Sequence, residues 1–173
     1  MGSLINRTRH NRTLDLLLFG LIVLGLLAVV RFLPEPERMN ISGYVRVIDG
    51  DSLIVDGMEI RLQGVDAPEL TQTCSRDGKT WECGRDAARR LRAHLGSALV
   101  TCRGNRFDQH GRLLAVCRAK EVEVNRWLVD RGWAVSFDDY PAAEGEARKA
   151  GRGIWSGTFE RPRIWRERQR DAH

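Results

Sequence analysis

A chain of 173 residues with 42% hydrophobic and 29% charged side chains can bury one core, which excludes a disordered or low-complexity protein. Lys plus Arg exceed Asp plus Glu by 28 to 23, and a net charge of +5 is too mild to mark a protein that binds nucleic acid by bulk charge alone. Lys79, Lys120 and Lys149 are the only lysines, so the basic set is nearly all Arg, whose planar fork matches phosphate oxygens two at a time.

From Leu14 to Leu33 nearly every side chain is aliphatic or aromatic, with Asp15 and Arg31 the only charges. Twenty helical residues reach roughly 30 Å, about one hydrocarbon core, so residues 14–33 are expected to form a transmembrane helix. The alternative is a cleaved signal peptide and a secreted protein, but no small-x-small site follows the apolar run. Arg7, Arg9 and Arg12 precede the span, and the positive-inside rule then holds residues 1–13 in the cytoplasm. The expectation is a single-pass protein of the cell (inner) membrane with an extracytoplasmic or periplasmic domain. The stretch Pro34-Glu35-Pro36-Glu37-Arg38 reads as a stiff polar spacer, within a linker over 34–42.

Gly43 to Ile48, Ser52 to Val55 and Glu59 to Gln63 alternate or run apolar between turn residues, and Asp56-Gly57 marks the second turn of a three-strand meander. Arg85 to Leu95 carries Ala87, Ala88, Leu91 and Leu95 at helical spacing, with Gly96 as a stop. Ala98 to Cys102 and Leu113 to Cys117 look like partners in a hairpin. A helix is expected over about Glu123 to Arg131, burying Val124, Trp127 and Leu128, and a more polar, weakly packed one over Pro141 to Ala150. Strands, a helix, further strands and further helices suit a mainly β (α+β) domain, a small five-stranded barrel with helices on its flanks. The Arg-rich stretch Arg161 to Arg170 is either a solvated tail or a nucleic-acid contact.

Cys74, Cys83, Cys102 and Cys117 all fall on the side assigned to an oxidising compartment, and their even number points to two disulfides. Three pairings are possible; Cys74 with Cys83 and Cys102 with Cys117 close the short local loops and are favoured. Zinc is disfavoured, because there is no Cys-x-x-Cys and no His at ligand spacing from the cysteines.

The chemistry concentrates in Asp49, Asp51, Asp66, Glu69 and Arg61, four carboxylates and a guanidinium close together in the chain. Hard cations are held by such oxygens, and a phosphodiester anion needs both a cation and guanidinium forks as charge builds during cleavage. Each residue alone has a plain structural explanation: Asp-Gly-Asp is common in surface turns, and a lone Arg is usually a solvated strand-edge charge.

Three blocks, Arg46-Val47-Ile48-Asp49-Gly50-Asp51-Ser52, Ile60-Arg61-Leu62-Gln63-Gly64-Val65-Asp66-Ala67-Pro68-Glu69 and Asp108-Gln109-His110-Gly111-Arg112, resemble the staphylococcal nuclease (thermonuclease) family in identity, order and spacing. The likeness continues through Val124-Asn125-Arg126-Trp127-Leu128-Val129 and Gly132-Trp133-Ala134 to Gly153-Ile154-Trp155. The resemblance implies an OB-fold domain over 43–157, followed by an Arg-rich tail over 158–173. It also implies a calcium-dependent endonuclease, a phosphodiesterase with DNA and RNA as substrates that leaves 3′-phosphate ends. By the same resemblance Asp51, Asp66 and the carbonyl of Ala67 would hold Ca2+, and Glu69 would orient or deprotonate the attacking water. Arg61 and Arg112 would bind the phosphate. Asp49, Ser52 and Asp108 would support them, and His110, Phe137 and Tyr140 stand near where the family meets a nucleotide. Ser52 and Ala67 depart from threonines of the prototype, and Gln109-His110 from a Lys-Tyr pair, which bears on base preference. No protein partner is inferred and a monomer is expected. The competing classes are an OB module that binds nucleic acid with little catalysis and a structural domain stabilised by calcium.

Overall fold

The computed structural model describes residues 12–32 and 37–172, with side chains from residue 15. They divide into two units, residues up to 36 and residues from 37 on.

The first unit is helix α1, Arg12–Arg31, whose aliphatic side chains from Leu16 to Val30 are exposed. The charges at its two ends leave an uncharged run of about 22 Å at helical rise, short of a roughly 30 Å hydrocarbon core. Among the described residues no helix is long and apolar enough to cross a membrane. The expected 14–33 span is corrected to helix α1, whose uncharged run covers only Leu16 to Val30; residues 1–11 and 33–36, in the expected cytoplasmic segment, the end of the expected span and the linker, lie outside the described residues.

In the second unit the chain runs β1 (Met39–Gly43), β2 (Val45–Val47), β3 (Ser52–Val55), β4 (Met58–Leu62), β5 (Val65–Asp66), β6 (Cys74–Arg76) and β7 (Lys79–Trp81), then helix α2 (Cys83–Leu95). It continues through β8 (Val100–Phe107), β9 (Leu113–Ala119), β10 (Val122–Glu123), α3 (Val124–Asp130), β11 (Val135–Ser136), α4 (Pro141–Lys149), a 3-10 turn at Gly153–Ser156 and α5 (Pro162–Asp171). Residues 39–42, expected in the linker, are thus the first strand, and the expected tail is largely helical.

The main sheet is ordered β1-β8-β9-β4-β3-β2. Only Tyr44 separates β1 from β2, so the two are halves of one bent strand: the first half pairs with β8 and the second with β3. The sheet therefore curls back on itself. Counting that bent strand once gives the five strands of an OB-like barrel, with β4 and β9 its parallel pair. Alternation follows from the closure. Along β9 the side chains of Leu113, Ala115 and Cys117 are fully buried while their neighbours are not, and Leu53, Val55, Ile60, Leu62 and Val100 meet them inside. Helix α2 buries Ala87, Ala88, Leu91 and Leu95, as their spacing requires, and packs Leu91 and Leu95 into the barrel core. Helix α4, expected to pack weakly because of its polar composition, still buries Ala143 and Ala147.

Asn125 ties α3 to the barrel and was not singled out by the sequence. Wholly buried, its Oδ1 accepts from the Cys117 N–H at 2.9 Å, and its Nδ2 donates to the carbonyls of Gln63 at 2.8 Å and Ala115 at 3.0 Å. The disulfides are Cys74–Cys83 and Cys102–Cys117, the second joining residues directly opposite in the β8/β9 ladder, as the short-loop pairing expected. Replacing Cys102 and Cys117 together by Ala is expected to cost about 3 kcal/mol, the loop-entropy value for a loop of this length. Urea unfolding of the oxidised proteins checks this, and equal midpoints would contradict it.

Candidate active site

The turn from Ile48 to Ser52 closes with the N–H groups of Ile48 and Asp49 donating to the Ser52 carbonyl at 2.9 and 3.4 Å. Asp49 folds its carboxylate over the turn and accepts the Asp51 N–H at 2.9 Å. The carbonyl of Asp51 takes the N–H of Leu62 at 2.9 Å, which pins the turn to β4. Asp51 is thereby held inward, 2% exposed, where its Oδ2 accepts the Ala67 N–H at 2.6 Å. Gly50 makes this approach possible: a Cβ there would stand 2.5 Å from that of Ala67.

Asp66 arrives from the other side on β5, which pairs with β11. Between the two acids lies Arg61 of β4, opposite Ser52 in the ladder. Its Nη1 donates to Asp51 Oδ1 and its Nη2 to Asp66 Oδ1 at 3.0 Å, so one guanidinium joins two buried carboxylates. Burial pushes the Asp51 carboxyl up to about 8; the Arg61 charge and the Ala67 N–H pull the other way, and the Asp49 and Asp66 carboxylates push it further up.

Arg112 approaches from the start of β9. Asp108 clamps it: Oδ1 accepts the N–H groups of His110 and Arg112 at 2.9 and 3.0 Å, and Oδ2 accepts Arg112 Nε at 2.8 Å. Partial burial works to raise the Asp108 carboxyl, but these bonds and the Arg112 charge hold it below the ordinary range. The same guanidinium donates through Nη1 to Ser52 Oγ at 3.2 Å, and Ser52 Oγ in turn lies 3.4 Å from Asp51 Oδ1. Arg61 and Arg112 thus flank Ser52.

Glu69 closes the group. Its backbone is fixed by wholly buried Gln72, which donates its N–H to the Glu69 carbonyl at 2.8 Å and accepts the Glu69 N–H on Oε1 at 3.3 Å. Gly84, in the first turn of α2, abuts the same carbonyl so closely that a Cβ would sit 1.7 Å from it.

Arg166 is a member the sequence did not reveal. Reaching over from α5, it donates through Nη1 to Asp66 Oδ1 at 2.8 Å and Glu69 Oε1 at 2.9 Å, and through Nη2 to Asp66 Oδ2 at 3.2 Å. Its half-buried setting disfavours charge, but the bonds and charges of Asp66 and Glu69 outweigh that and raise its pKa. Nothing in a stretch dense with Arg distinguishes this one from its neighbours.

The side chains of the expected nucleotide-contacting residues lie outside this network. Tyr140 packs on the core and donates its hydroxyl to Glu123 at 3.0 Å, Phe137 is exposed, and His110 contacts only Gln109 among the bonds its side chain makes in the described residues.

A profile described as staphylococcal nuclease homologue matches residues 59–157. The chain belongs to that family. The matched stretch carries Arg61, Asp66, Ala67, Glu69 and Arg112; Asp49, Asp51 and Ser52 lie before it and Arg166 beyond it. A succinoglycan biosynthesis protein, ExoI, of Rhizobium meliloti (strain 1021) is 38% identical over 123 residues, covering 66% of this chain and 64% of that protein. The chain therefore spans just under two thirds of that relative's length. An uncharacterized endonuclease of Escherichia coli is 31% identical over 137 residues, 72% of this chain and 84% of the relative. A probable staphylococcal-like nuclease, CAN2, of Oryza sativa subsp. japonica is 30% identical over 129 residues, 70% of this chain and 33% of the relative.

The staphylococcal nuclease family implies a divalent cation, and the residues fit one. Asp51 and Asp66 are hard oxygen donors drawn together in a buried place where negative charge is disfavoured, so added positive charge is welcome. Among the described residues no group of three or more His, Cys, Asp or Glu side chains forms a metal cage. A cation here would take two carboxylates and complete its shell from backbone and water, a pattern calcium tolerates and structural zinc does not.

The raised Asp51 pKa has a signed consequence. Its folded value lies above the ordinary 3.8, so its contribution to stability is complete below that pH and is lost as the pH rises through about 8. In chelator, Asp51→Asn is expected to gain on the wild type by a few kcal/mol between about pH 4 and pH 8. Denaturant unfolding across that range measures the gap, and a difference constant with pH would refute the assignment.

Proposed function

We propose that this protein is a calcium-dependent endonuclease that hydrolyses phosphodiester bonds of DNA and RNA and leaves 3′-phosphate ends. The observation that carries this reading is the convergence of two buried acids, Asp51 and Asp66, with Arg61 and Arg112 around Ser52. Membership of the staphylococcal nuclease family and relatives named as endonucleases support it.

Asp51, Asp66 and the carbonyl of Ala67 would hold the ion. Calcium bound there would neutralise a phosphate oxygen and bring water close to phosphorus. Arg61 and Arg112 bind the remaining phosphate oxygens, and their forks gain most as charge accumulates in the transition state. Asp108 keeps the Arg112 fork aimed at the cleft. Glu69, exposed enough to reach solvent, accepts a hydrogen bond from the attacking water and receives its proton. The leaving 5′ oxygen takes a proton from solvent, and the phosphate remains on the 3′ side.

Two disulfides support work in an oxidising compartment, outside the cytoplasm. The exposed aliphatic side chains of α1 support association of that segment with lipid, and membrane attachment is part of the same proposal.

The test is digestion of plasmid and of RNA by the full chain with calcium, with chelator, and with magnesium in place of calcium. Cutting of both polymers with calcium alone is expected, and intact polymers at millimolar calcium would overturn the reading. Glu69→Gln and Arg112→Ala are expected to fold as the wild type does, by thermal unfolding, and to lose on the order of 10² to 10³ in turnover. Wild-type rates from both variants would remove the mechanism.

A further inference from the structure

The C-terminal helix α5 is bound to the domain in an unusual way. Its entry is firm: Thr158 and Ser75 exchange both backbone hydrogen bonds, at 2.9 and 2.8 Å, and Gln72 Nε2 donates to the Glu160 carbonyl at 2.6 Å. Phe159 packs on Trp155, and Pro162 at the helix start is buried. Beyond Pro162, however, no residue of α5 is buried, and Ile164 is exposed. Arg163 pairs with Glu167 inside the helix, and Arg168 pairs back with Glu160 just before it. Among the described residues the bonds from the body of the helix to the barrel are those of Arg166, to Asp66 and Glu69.

The position of the helix thus depends on the carboxylates that the reading above assigns to the ion and the water. Asp66 Oδ1 already accepts from Arg61 at 3.0 Å and from Arg166 at 2.8 Å, and Arg166 also takes Oδ2. Both oxygens of Asp66 are therefore in use by guanidinium. A divalent ion that binds Asp66 must take one of them and places two further positive charges within a few ångströms of Arg166, where the attraction becomes repulsion. Arg61 is carried by a barrel strand; Arg166 stands on a helix in which Trp165 and Gln169 are half-buried and, among the described residues, no other side chain of the helix body bonds to the barrel.

We propose that Arg166 and the divalent cation compete for Asp66, so that cation binding and release of α5 from Asp66 and Glu69 are one linked equilibrium. This rests on the metal reading above. Linkage requires that whatever binds one of two mutually exclusive states shifts the other, and that removing the competitor tightens the ion by the factor it had cost. With Arg166 docked, the Oε1 of Glu69 is taken by a guanidinium. Released, both oxygens are free for the attacking water. The C-terminal extension beyond the family match would then act as a cover that the ion removes.

Calcium titration calorimetry on the full chain and on Arg166→Ala, with Arg166→Gln as a second variant, tests this. Several-fold to tenfold tighter calcium binding in the variants is expected. In the wild type, hydrogen exchange of the amides of 164–171 is expected to speed up when calcium is added, while that of β8 and β9 stays unchanged. Equal or weaker calcium binding in variants that melt like the wild type, or exchange in 164–171 that is unaltered or slower with calcium, would overturn the competition and leave the metal reading standing. Absence of binding in all three proteins would overturn both.

Discussion

Asp51 and Asp66 are brought side by side in a place where neither carboxylate is well solvated, and the Arg61 guanidinium lies between them. Like charges at that separation repel strongly once water is removed, and burial alone raises the cost of ionising Asp51. The fold offsets part of the conflict, with the Arg61 fork and the Ala67 N–H on Asp51 and the Arg61 and Arg166 forks on Asp66, and burial still holds the Asp51 carboxyl raised. Such a cluster is poor material for stability, since well-packed apolar groups would do as well there. It is better material for a site, because two acids and two guanidinium groups are held in fixed orientation there.

The surroundings follow from that need. The bent first strand closes the barrel and brings the Asp49–Asp51 turn against β4, while β5 and β11 hold Asp66. Around Glu69 the restraint is denser: Gln72 grips both backbone polar groups, Gly84 allows α2 to press against them, and the Cys74–Cys83 disulfide ties the β6/β7 hairpin to the start of that helix. The hairpin in turn pairs with Thr158 and so carries the C-terminal segment toward the cleft. One short excursion of the chain therefore sets the position of Glu69 and of the helix that bears Arg166.

Much of the site could be read from the sequence because its members are short-range neighbours with unusual chemistry. Asp49-Gly50-Asp51 sits in a turn, Asp66 to Glu69 at the end of a strand, Arg61 at a strand position whose apolar neighbours fix which way it faces, and Arg112 just before a strand, four residues after Asp108. The barrel was readable for the same reason, through period-two alternation. Gln72 was not, since a lone Gln in a polar loop becomes informative only when its amide is seen bridging Glu69 and Glu160. Asn125 is similar; a helical pattern says nothing of a side chain that serves two strands. The start of β1 was lost among polar linker residues because its partner, β8, lies some sixty residues away in the chain. Arg166 was hidden by composition, one Arg among many in a segment whose helical periodicity has no apolar face to announce it. The apolar N-terminal run had the length of a span only when its terminal charges were counted as part of it.

The central claim is that the pair of acids joined by Arg61 is the seat of a divalent ion. A crystal of the protein soaked in strontium, an oxygen-preferring analogue of calcium, addresses it through anomalous difference density. The account predicts one strong peak within coordination distance of both Asp51 and Asp66, with the Arg166 side chain turned away from them. Density elsewhere, or none at this pair with Arg166 still seated on Asp66, would contradict it.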